Sequence, residues 1–87
     1  MDELAPSFAL NLYRVTQDAL EVTETYVTGF ENRADILGKA QNYQNNGPPN
    51  KIDVWKLTLS AVYSSGEESV IQDWRYWPHI QKWIQPS

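Results

Sequence analysis

The stretch Ser7-Phe8-Ala9-Leu10-Asn11-Leu12-Tyr13-Arg14-Val15-Thr16-Gln17-Asp18-Ala19-Leu20-Glu21-Val22-Thr23-Glu24-Thr25-Tyr26-Val27-Thr28 decides the fold, because it reads two ways. Phe8, Leu12, Val15, Ala19, Val22 and Tyr26 recur at alternating steps of four and three, which is the stripe of an amphipathic helix. The opposite face would then be Asn11, Arg14, Asp18, Glu21, Thr25 and Thr28, all polar. Phe8, Leu10 and Leu12 also alternate as a strand would, but Arg14 breaks that face. Residues 22–28 are β-branched and aromatic, which favours strand. The periodicity predicts helix over 7–28. The alternative is a hairpin turning at Thr16-Gln17-Asp18-Ala19, with Gly29 ending either element.

Downstream, residues 31–45 read as a second helix. Phe30, Ala34, Leu37 and Gln41 form one stripe, with Ile36, Ala40 and Tyr43 beside it. Gly38 inside a helix costs up to about 1 kcal/mol relative to alanine, which suggests a close packing contact there. Gln44 to Asn50 holds Asn-Gly and Pro-Pro and is the clearest loop. Residues 53–63 alternate as a strand, with Trp55, Leu57, Leu59, Ala61 and Tyr63 on one face. A turn at Ser64 to Glu68 returns the chain through 69–77 as an antiparallel partner. Pro78 opens a short terminal helix over 79–84, docked by Ile80, Trp83 and Ile84.

The expected class is therefore α+β. Helices at about 7–28 and 31–45 pack on a C-terminal hairpin of 53–63 and 69–77, with a short terminal helix. If 8–28 is a second hairpin, the result is a four-stranded antiparallel sheet with one helix. Eighty-seven residues form one domain, 1–87, since neither half could bury a core alone.

Composition limits the chemistry. There is no cysteine, so disulfides, thiolate metal sites and cysteine nucleophiles are excluded by count. The single histidine, His79, has no carboxylate at helical spacing, and no metal or other cofactor is expected. Ser64, Ser65 and Ser69 lie in or beside a turn without a nucleophile elbow. The four glycines are too scattered for a phosphate loop. Nothing marks the chain as an enzyme. Met1-Asp2-Glu3 is acidic where a secretion signal would be basic, and no apolar run is long enough to span a bilayer, so a cytoplasmic location without membrane partners is expected.

Net charge is −4 and unevenly placed: residues 1–35 carry −5 and residues 36–87 carry +1. That balance argues against sequence-specific binding of duplex DNA, which needs clustered Lys or Arg. The most unusual segment is Asp73-Trp74-Arg75-Tyr76-Trp77-Pro78-His79-Ile80-Gln81-Lys82-Trp83, with three of the four tryptophans. Trp, Tyr and Arg are enriched at interface hot spots, and they also stack flat ligands. If 69–77 is a strand, Trp74 and Tyr76 share one face while Arg75 and Trp77 share the other, and an arginine marks the wetter face.

The expected function is a small acidic protein–protein interaction module, an inhibitor or adaptor of the kind a virus or mobile element would carry. Its partner would be another protein, and homodimerisation is an open option. The expected partner site is Arg75, Trp77, His79, Lys82 and Trp83, with an acidic face of Asp18, Glu21 and Glu24 as the alternative. The competing function is a small-ligand or nucleotide binder with an aromatic and arginine stacking site. A pocket flanked by Arg75 and Lys82 would favour that reading, and a flat patch would favour the first.

Overall fold

The computed structural model describes residues 6–85. The stretch that decides the fold is a hairpin. Strand β1 (Ser7–Val15) pairs antiparallel with β2 (Leu20–Thr28). The turn between them is closed by Thr16, whose amide donates to the Ala19 carbonyl at 2.9 Å and whose hydroxyl donates to the same oxygen at 2.8 Å. The expected helix over 7–28 is thus overturned. The β-branched run 22–28 follows its propensity, and pairing with β1 satisfies the backbone groups.

A 3-10 turn at Phe30–Asn32 leads into helix α1 (Arg33–Asn46). Strand β3 (Val54–Val62) then enters on the far side of β1, β4 (Glu68–Trp77) follows, and a three-residue strand β5 (Lys82–Ile84) ends the sheet. Sheet order is β2-β1-β3-β4-β5, and all neighbours are antiparallel. Because β2 and β3 flank β1, the connection through α1 passes across the sheet and covers one face of it.

The architecture corrects two helices packed on a C-terminal hairpin to one helix on a five-stranded sheet. The four-stranded alternative comes closer and lacks only β5. The expected terminal helix over 79–84 is one turn, in which the Gln81 amide donates to the Trp77 carbonyl at 2.8 Å. Gln81 then adopts a left-handed φ of 53° and sends the chain back along β4. So short a helix gains little on its own, whereas pairing with β4 satisfies its amides directly.

The core lies between α1 and the sheet. Leu10 and Leu12 of β1, Trp55, Leu57 and Leu59 of β3, and Trp74 and Tyr76 of β4 face Ile36 and Ala40 of the helix. Phe8, Tyr26, Tyr43 and Trp83 pack around its edge. The helix presents Ile36, Ala40 and Tyr43 to the sheet. Leu37, on the stripe expected to be apolar, is 48% exposed. A Cβ at Gly38 would meet nothing within 4 Å among the described residues, so the expected close contact is not found there.

Candidate functional site

The opposite face of the sheet is covered by no described element. Cross-strand registers place Ala9, Asn11, Tyr13 and Val15 of β1 on it, with Thr58, Ser60, Val54, Lys56 and Val62 of β3. Asp73, Arg75 and Trp77 of β4 and Lys82 and Ile84 of β5 extend it. At its centre Ala9, Thr58 and Ser60 are buried. Their side chains are small, and larger register partners flank them, Val27 beside Ala9 and Val70 beside Ser60. The Ser60 hydroxyl has no hydrogen-bond partner among the described residues.

One end of this face gathers most of the expected partner site. The Arg75 guanidinium lies 5.7 Å from the Trp77 ring centroid, and the His79 ring meets Trp77 edge-on at 6.0 Å. Lys82 is the register partner of Trp77 across the β4–β5 ladder. Alternation of side chains in β4 produces this grouping, since Arg75 and Trp77 point away from the helix while Trp74 and Tyr76 point into the core.

Trp83 does not join them. It turns to the helix side, donates its indole N–H to the Tyr43 carbonyl at 2.9 Å, and meets Tyr76 edge-on at 5.4 Å. Its role is to lock β5 under the end of α1. Lys56, which the sequence reading did not single out, is the register partner of Arg75 and belongs to the cluster. The alternation of β3 already placed Lys56 opposite the core residues, but its pairing with Arg75 became visible only with the register.

Lys56, Arg75 and Lys82 give this end three positive charges, against Asp73 two residues along β4. None of the three bases makes an ion pair with a described carboxylate. Those pairs belong to Arg14, which holds Glu21 at 2.6 Å and Asp53 at 3.8 Å. The Glu21 hydrogen bond, then its charge, raise the Arg14 pKa further above an already high value.

Asp18, Glu21 and Glu24, expected as an alternative acidic face on a helix, are carried by the β1–β2 hairpin instead, with Glu21 and Glu24 both on the helix side of β2. Asp18 sits in the β1–β2 turn, Glu21 is engaged by Arg14, and the Glu24 carboxylate accepts a hydrogen bond from the Tyr43 hydroxyl on the helix side. Among the described residues there is no group of three or more acidic or histidine side chains arranged to hold a metal. No described helix is long and apolar enough to cross a membrane. Compared with protein-family models, curated proteins and solved structures, the chain matches none of them.

Proposed function

We propose that the chain is a non-catalytic interaction module that docks the basic, aromatic end of its bare sheet face on an acidic patch of another protein. The observation that carries this reading is the grouping of Lys56, Arg75 and Lys82 around Trp77 at one end of the uncovered face. Arg75 and Trp77 stand side by side on the uncovered sheet face, and Lys82 at its border also lines a cleft of about 380 Å³ with Lys51, Gln81 and Trp83. A row of cations around one aromatic suits an acidic macromolecular surface better than a stacked small ligand. Tyr13, Val15 and Val54 supply apolar area beside them, half-buried by their own neighbours. The rest of the protein is acidic enough to leave the net charge at −4, so this end stands out electrostatically and would orient an acidic partner on approach.

A photo-crosslinking side chain at position 77, with a control at the exposed position 37 on the helix, tests the reading in extracts of the native host. Crosslinks from 77 and not from 37, joined to an acidic surface of one partner, are expected. Crosslinks from 37 alone, or from 77 to a basic or uncharged surface, contradict it.

A further inference from the structure

The seam between α1 and β2 holds a cleft of about 500 Å³, separate from the bare sheet face. Leu10 and Leu12 form its floor, and Tyr26 and Tyr43 stand at its walls. Two bridges cross it. Lys39 of α1 sets its ammonium 4.6 Å from the Tyr26 ring centroid, and Tyr43, one turn later, donates its hydroxyl to the Glu24 carboxylate. The cleft thus presents one cation and one anion above an apolar floor, and Lys39 and Glu24 do not pair with each other. Asn42 and Asn46 add side-chain amides on the helix side.

The spacing of the charges follows from the elements that carry them. Lys39 and Tyr43 are one helical turn apart, a rise of about 5–6 Å. Glu24 and Tyr26 are two strand residues apart, about 6–7 Å. Each bridge joins one member of the first pair to one of the second, so the ammonium and the carboxylate enter the same cleft without meeting each other. A zwitterion can meet both groups at once, its carboxylate toward Lys39 and its ammonium toward Glu24. A volume of this size lies within the range of small-molecule sites.

We propose that this cleft binds a free α-amino acid with an aromatic or large aliphatic side chain. The ligand's charges exchange the two bridging contacts for two charge-assisted hydrogen bonds, and its side chain lies over Leu10 and Leu12 between the tyrosine rings. The inference does not depend on the docking reading, since no residue is shared between the two sites.

The test is calorimetric titration of the whole chain with L-phenylalanine, 2-phenylethylamine and 3-phenylpropionate, with NMR shifts followed at the Leu10 and Leu12 methyls. Saturable binding of L-phenylalanine with shifts at those methyls is expected, and at least tenfold weaker binding of each analogue, since each lacks one charge. Lys39→Met and Glu24→Gln, both on the rim, each weaken L-phenylalanine at least tenfold while the circular dichroism stays unchanged. Absence of saturable binding at millimolar L-phenylalanine overturns the proposal, as does equal affinity for the three compounds on the wild-type chain, a result that does not depend on any variant folding.

Discussion

Tyr76 illustrates how single residues carry this fold. Tyr76 is 2% exposed and packs with Trp55, Trp74 and Trp83, yet its hydroxyl finds no hydrogen-bond partner among the described residues. A buried hydroxyl without a partner opposes folding, so its removal at constant shape relieves a penalty of about 1–3 kcal/mol. Tyr76→Phe is expected to leave stability unchanged or raise it, measured as the urea midpoint, and a loss above about 1 kcal/mol would show that the hydroxyl is satisfied. Trp55 is the opposite case. It is 3% exposed, and its indole N–H donates to the Asn50 carbonyl at 2.9 Å. Trp55→Ala is expected to cost about 3–5 kcal/mol, a large share of the margin of a small domain, and an unchanged urea midpoint would contradict its place in the core. Trp55 and Leu57 could be assigned to the core directly from the period of residues 53–63, because β3 is regular through that half and buried on the helix side.

At the scale of elements, two bulges explain why the rest of the sheet was harder to read. In β2 the ladder shifts at Thr23, so Val22 lies on the bare face while Glu24 and Tyr26 lie on the helix face. In β4 it shifts at Ile71, between Val70 and Gln72. A bulge breaks the period of two on which strand recognition rests, and in β2 the surviving apolar positions then matched a helical spacing. Arg14 masked β1 in the same way. It lies on the helix face at the end of the strand, where its head reaches Glu21 and Asp53 instead of entering the core.

The ends and middle of α1 give contrasting predictions. Gly47, with φ 87° and ψ 175°, stops the helix in a conformation nearly restricted to glycine, and an added Cβ would meet Lys51 at 3.1 Å. Gly47→Ala is expected to cost about 1–3 kcal/mol by chemical denaturation. Gly38 lies mid-helix with open space around it, so Gly38→Ala is expected to stabilise by up to about 1 kcal/mol. The reverse order of the two variants would contradict the helix end described here.

For the whole molecule, the consequence of this topology is a sheet with one face partly covered by α1 and one face that no described element covers. The grouping of Arg75 with Trp77 was legible from strand alternation, while Lys82 reaches Trp77 through β5, which was expected to be a helix. Lys56 joins through a register that no local pattern encodes, and Trp83 leaves because β5 is a strand rather than a helix. The central claim is that this end of the bare face docks an acidic partner. Its most direct test is the affinity of the crosslinked partner, measured against salt, for the wild-type chain and for the Arg75→Glu, Lys82→Glu double variant. The account predicts that wild-type affinity falls as salt rises, and that the folded double variant binds at least a hundredfold more weakly at low salt. Unchanged affinity in a folded double variant would contradict it.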